Sequence, residues 1–185
     1  MTRFFDGTRR GFLQLGLVGA ASMVTSPALA ALSHARPAAR ALSFHNLHTD
    51  EKLSVTYWKD GTYNRPAVTK INHILRDHYS GDTFPMDLRL MDLLHDLQHK
   101  LHNDRPVEII SGYRSPQTNM RLASYSDGVA KHSYHTKGMA IDIRMQGTSL
   151  RNVHTAALLM RRGGVGYYPD SQFVHVDVGP LRRWG

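Results

Sequence analysis

No cysteine occurs in the 185 residues. That absence excludes disulfides, thiolate ligands and a thiol nucleophile, so a soft metal would have to be held by histidine and carboxylate. There is also no H-E-x-x-H, which sets aside the thermolysin-like arrangement, and neither a G-x-S-x-G elbow nor a P-loop is present. Acidic residues are scarce, 15 against 23 Lys and Arg. What the chain does have is histidine, 12 residues, all of them after position 30.

The N-terminus carries an address. Arg9-Arg10 precedes Gly11-Phe12-Leu13, the run Leu13 to Val24 is apolar or small, and Ala28-Leu29-Ala30 supplies an A-x-A cleavage site. The pattern predicts a twin-arginine signal peptide over 1–30 and export to the periplasm. The run is short for a membrane span, so no stable membrane insertion is expected after cleavage, the alternative being an uncleaved anchor. Residues 31–40 are rich in Ala, Pro and Arg and are expected to form a flexible tail; 41–185 suffice for one domain with one core. The leader holds three of the basic residues and one of the acidic, so the remainder keeps an excess of six positive charges. Such a surface suits an anionic polymer. An exported protein rarely meets nucleic acid, so no nucleic-acid partner is expected; wall glycan and peptide carboxylates fit the compartment, as does a plain need for solubility.

Residues 42–48 and 53–58 alternate apolar and polar about a polar turn, which predicts an N-terminal hairpin, with a second turn at Asp60-Gly61. Helices are expected over 65–79, with Ile71, Ile74 and Leu75 on one face, and over 85–102, with Leu90, Leu94, Leu97 and Leu101 as the stripe. Two more are expected over 116–125 and 150–162, the last stopped by Gly163-Gly164. Strands are expected at 107–111, within 138–144 and at 173–178. The fold class is α+β, with helices packed on a small, mostly antiparallel sheet.

The chemistry lies where a strand should show an apolar face and does not. In Phe173 to Val178 the valines 174, 176 and 178 share one face, leaving Phe173, His175 and Asp177 on the other. Ile141 and Ile143 likewise point one way, Ala140 and Asp142 the other. If these strands pair, Asp142 and His175 meet. A buried carboxylate is costly unless it is paired or bound to a metal, and zinc takes both donor types. The nearest third ligand is His135, with Gly138 permitting a tight approach to the strand. Three protein ligands leave the fourth position of a catalytic zinc site open to water.

Ser133-x-His135-x-x-Gly138-x-Ala140-x-Asp142, then His175-x-Asp177, resembles the D-Ala-D-Ala-type zinc peptidase superfamily, which includes lysostaphin-like enzymes and the zinc domain of hedgehog proteins. Ser111-Gly112-Tyr113-Arg114-Ser115-Pro116 with Asn119 matches the same group, and the chain is most similar to its exported murein endopeptidases with twin-arginine leaders. The similarity extends over 41–185. It implies one zinc ion held by His135, Asp142 and His175, with Arg114 facing substrate as a carboxylate clamp or oxyanion partner. It implies hydrolysis of amides in peptidoglycan stems or crosslinks, including those between diaminopimelate residues. A carboxypeptidase trimming stem ends and a non-catalytic zinc-containing wall-binding module are the alternatives.

The sequence departs from the group at one point. Relatives place a Glu three residues before the last ligand, or a His two before it; here Gln172 and Phe173 occupy those positions and neither can act as a base. Asp177 is the remaining candidate for the base, since it shares a strand face with His175; its other role would be to orient His175. Tyr113 is expected to pack in the core, and Ser133 and Asn119 to shape loops. His132 is expected to be a solvated loop residue, His95, His99 and His102 lie off the leucine stripe and face solvent, and His45 and His48 form no ligand pattern.

Overall fold

The valine and isoleucine faces identified above stack into a single layer of strands with helices laid over one side. The computed structural model describes residues 39–185 apart from positions 127 and 131. The expected leader and most of the expected tail lie outside that range. The last two tail residues do not: strand β1 (Ala39–Asn46) begins at Ala39. Arg40 pairs with Asp92 at 2.6 Å and lies 4.8 Å over the Trp58 ring, contacts that draw this end of the tail into the sheet.

The predicted hairpin is β1 with β2 (Lys52–Lys59), and β2 continues into β3 (Thr62–Tyr63). Strands β4 (Val107–Ser111), β5 (Ala140–Met145), β6 (Gly164–Tyr168), β7 (Phe173–Asp177) and β8 (Arg182–Trp184) complete one sheet of eight, in the order β3-β2-β1-β4-β5-β7-β6-β8. The sheet is larger than expected and mixed, since β1 and β4, and β6 and β8, run parallel. Strands β6 (Gly-Val-Gly-Tyr-Tyr) and β8 (Arg-Arg-Trp) have too little apolar alternation to be read locally and are recruited by pairing.

Each α-helix starts on a side-chain cap. Asn64, Asp87, Ser115 and Ser149 accept from backbone N–H groups at the starts of α1 (Arg65–Ile74), α2 (Leu88–Lys100), α3 (Pro116–Tyr125) and α4 (Leu150–Met160). Helix α1 is shorter than predicted because Asp77 is used elsewhere: its buried carboxylate accepts from Tyr79 N and Ser115 N at 2.9 Å each. Helix α4 ends ahead of its glycines, with Arg161 left-handed at φ 51°.

Phe44, Ile109, Ile143 and Val174, one from each of four neighbouring strands, join Leu90, Leu94 and Leu97 of α2 and Val153 of α4 in one buried cluster. Each such side chain contributes about 1.5–3 kcal/mol on burial. The opposite face is different. A bulge between Ile109 and Ser111 sets Ser111 opposite Asp142. Asp142 then pairs with His175, His175 with Gly166, and Gly166 with Trp184. One row of residues thus crosses five strands on the face away from the helical core. Among the described residues no helix is long and apolar enough to cross a membrane.

Candidate metal centre

Pairing of β5 with β7 brings Asp142 and His175 together at the centre of that row. His135 arrives from a 3-10 turn, Tyr134–Lys137, which Ser133 caps and Gly138 closes at φ 64°. His135 Nε2 lies 3.2 Å from Asp142 Oδ1 and 3.1 Å from His175 Nδ1, and the last two atoms are 2.9 Å apart. The three residues form a group able to hold a metal ion.

Their outer contacts fix what each ring offers inward. His135 Nδ1 donates to Gly112 O at 2.7 Å, so its Nε2 presents a lone pair. His175 Nε2 donates to Asp177 Oδ2 at 3.0 Å, so its Nδ1 does the same. With both imidazoles neutral, two nitrogens and a carboxylate oxygen face one another as acceptors; a proton on His175 Nδ1, donated to Asp142 Oδ1, or a metal cation satisfies them. Three converging acceptors repel unless a cation is among them. The triangle is also of suitable size, since zinc with arms of about 2.05 Å has tetrahedral edges of about 3.3 Å. The donor set therefore fits zinc, in chemistry and in spacing.

Electrostatics respond to the same crowding. Burial holds the His135 imidazole below its ordinary pKa. Burial opposes the charge on His175 as well, but its bonds to Asp142 and Asp177 outweigh that and raise its pKa. Burial also works against ionised Asp142, yet the two imidazoles hold its carboxyl far below the usual range.

Asp177 is fully buried and saturated. Besides His175, it accepts from Gly164 N at 3.0 Å, Gly179 N at 2.8 Å and the Arg182 guanidinium at 2.6 and 3.2 Å. Burial pushes its pKa up, but these bonds prevail and hold it down. It lies behind the imidazole, on the edge opposite Nδ1. Of the two roles open to Asp177, these contacts are those of a carboxylate that orients His175 from the ring edge away from the converging atoms. Gly163-Gly164, expected only to stop a helix, makes room for it; a Cβ on Gly164 would sit 2.5 Å from Asp177 Oδ2. Arg182 is itself flanked by the Tyr134 and Trp184 rings at 4.7 and 5.1 Å.

The triad opens into a cleft of about 900 Å³. Arg114 lines it, with Nη2 3.4 Å from Asp142 Oδ2; burial lowers its pKa, against the pull of Asp142. Tyr113 packs in the core, stacked on Phe84 at 4.8 Å, and Asn119 Nδ2 donates to Ala130 O at 3.1 Å. His132 is exposed on the cleft rim. His99 and His102 are exposed, His95 is half-buried against Tyr57, and His45 pairs with Asp50. His48, which showed no ligand pattern in the sequence, stacks on His78 at 3.8 Å in the cleft wall; sequence reasoning missed His78 and also Tyr168, Arg182 and Trp184, cleft-lining residues supplied by β6 and β8. Asp142 is the only carboxylate among the described cleft residues.

The family model described as peptidoglycan L,D-endopeptidase MepK matches residues 34–184. The chain is 46% identical over 181 residues to the peptidoglycan L,D-endopeptidase MepK of Escherichia coli strain K12, covering 97% of this chain and 98% of that one. It is 38% identical over 183 residues to the probable peptidoglycan L,D-endopeptidase MepK of Haemophilus influenzae, covering 98% and 97%.

Proposed function

This chain belongs to the peptidoglycan L,D-endopeptidase MepK family, and from that membership we propose that it opens peptide crosslinks between two diaminopimelate residues, using one zinc ion held by His135, Asp142 and His175. It is a peptidase and acts on peptidoglycan. The observation that carries the zinc reading is the convergence of three lone pairs on the cleft face. When bound, zinc supplies Lewis acidity, polarising a carbonyl and making water a better nucleophile.

The chain's own residues do the rest. Gly112 O and Asp177 hold the outer N–H of each imidazole, which fixes tautomer and aim. Arg114 keeps a cation against Asp142, where the substrate carbonyl oxygen gains charge as water adds to the amide. Tyr168, Phe173 and Trp184 form an aromatic wall that limits water on one side. The twin-arginine leader over 1–30 accords with a periplasmic site of action, which cell fractionation tests.

Digestion of a defined muropeptide dimer joined through diaminopimelate decides the substrate. Monomers should accumulate with zinc-loaded protein and cease with a chelator. Release of only a terminal residue, or no cleavage by folded, zinc-loaded chain, overturns the reading.

Zinc must also displace a proton from His175. Because that pKa is raised, the proton competes to a higher pH than it would on a free imidazole. Zinc affinity is therefore expected to climb with pH up to the raised value and level off above it. Below it, affinity falls by up to about tenfold per pH unit for one proton. Calorimetry in buffers of different ionisation heat measures this; binding without proton release between about pH 5 and 8 contradicts it.

A further inference from the structure

Hydrolysis of an amide places negative charge on the carbonyl oxygen, and a peptidase site needs donors fixed where that charge appears. Arg114 is one. A second lines the same cleft. Tyr168 ends β6, lines the cleft, and is held between Phe173, stacked at 4.4 Å, and Trp184, whose indole Nε1 donates to the Tyr168 hydroxyl at 2.8 Å. That indole can lie there because Gly166 has no side chain: a Cβ would meet the Trp184 ring at 2.5 Å. The same indole sits 5.1 Å from the His175 ring.

The direction of the Trp184–Tyr168 bond matters. Indole N–H can only donate, so the tyrosine oxygen accepts and its own hydrogen is turned elsewhere. Among the described residues that hydrogen has no acceptor. Tyr168 is half-buried and lines the same cleft as Arg114 and the three converging residues. Tyr168 thus brings an O–H whose hydrogen is free for a ligand into the cleft that Arg114 and the triad also line, on the strand face of Gly166, which pairs with His175.

We propose that Tyr168 is a catalytic residue, donating a hydrogen bond, alongside Arg114, to the carbonyl oxygen of the scissile amide as it becomes negative. The inference rests on the peptidase reading above. No proton is transferred from the phenol: water adds, the C–N bond breaks to give carboxylate and ammonium, both hydrogens of the water end on the leaving nitrogen, and the hydroxyl hydrogen stays on Tyr168 throughout. Polarising that hydrogen is what the Trp184 N–H does, since a phenol oxygen that accepts a bond donates a stronger one.

The test compares the full-length parent with Tyr168→Phe and Trp184→Phe, all zinc-loaded, on a diaminopimelate-crosslinked dimer. Tyr168→Phe should lower kcat by about 10²-fold with KM changed no more than a few-fold and zinc content unchanged. Trp184→Phe breaks the same Trp–Tyr bond but keeps the hydroxyl, so its kcat should fall by roughly tenfold or less. Equal losses in the two variants would mean that only the wall's integrity matters and would overturn the assignment, as would parent-like kcat in Tyr168→Phe. A binding arm stands apart from turnover: a phosphinate isostere of the dipeptide carries a fixed tetrahedral anion, and Tyr168→Phe should bind it at least tenfold more weakly. Equal binding, or no binding by the parent, overturns the proposal. Failure of the parent to cleave any dimer, with the phosphinate difference intact, would instead overturn the substrate reading alone.

Discussion

Replacing His175 with alanine is expected to remove zinc and activity together. His175 Nδ1 is one of three converging donors, and the remaining pair, His135 Nε2 and Asp142 Oδ1, is an incomplete set. The lost transition-state stabilisation is several kcal/mol, so kcat/KM should fall by about 10³-fold or more. The fold should survive, because Asp177 keeps the Gly164 and Gly179 amides and Arg182 as partners. A thermal scan separates these effects. Zinc at about a hundred times its dissociation constant stabilises the parent by about 2.7 kcal/mol. For a chain of this size that is roughly 5–10 °C in Tm. His175→Ala should show no such rise while melting cooperatively without metal. A variant that still holds one zinc with parent-like affinity would end the claim that these three residues form the centre.

Asp177→Asn separates two roles that share one position. The asparagine is nearly the same size, so packing against Gly164 is kept. Its amide NH2 would face His175 Nε2 or Arg182, where a carboxylate now accepts. A donor against Nε2 favours the tautomer with the hydrogen on Nδ1, the atom meant for the metal. Zinc affinity should therefore drop about 10–100-fold. Stability should fall by roughly 1–3 kcal/mol as buried bonds are lost. Little of that comes from Arg182, which is more than one third exposed and regains water. If Asp177 is the base, zinc affinity should stay at the parental level while kcat alone falls by about 10²–10⁴. Zinc competition against a chromophoric chelator, run beside kinetics, tells the two apart.

The converging strand residues were legible because the sequence breaks its own pattern at those positions. Val174, Val176, Ile141 and Ile143 mark the faces that pack against helices, and with a period of two the intervening Asp142 and His175 must lie on the other face. The hairpin, α3 and the stripe of α2 were legible for the same reason: periodicity and caps are local. Helix α1 was overextended because the role of Asp77 depends on Ser115, 38 residues away. The function of Asp177 was open for a similar reason. Its four partners come from positions 164, 175, 179 and 182, and only their assembly shows both oxygens occupied.

By itself the sequence determined which strand positions carry polar side chains and which face of each strand they occupy, because alternation and side-chain type are properties of neighbouring positions. Only the tertiary structure decided the register that puts Asp142 opposite His175, since a slip of one residue would have sent one of them into the apolar core. It likewise decided which nitrogen of each imidazole points inward, because Gly112 O and Asp177 act across the fold. The wall of Tyr168, Arg182 and Trp184 was also a tertiary outcome, as β6 and β8 exist only through pairing between segments whose own residues do not demand a strand.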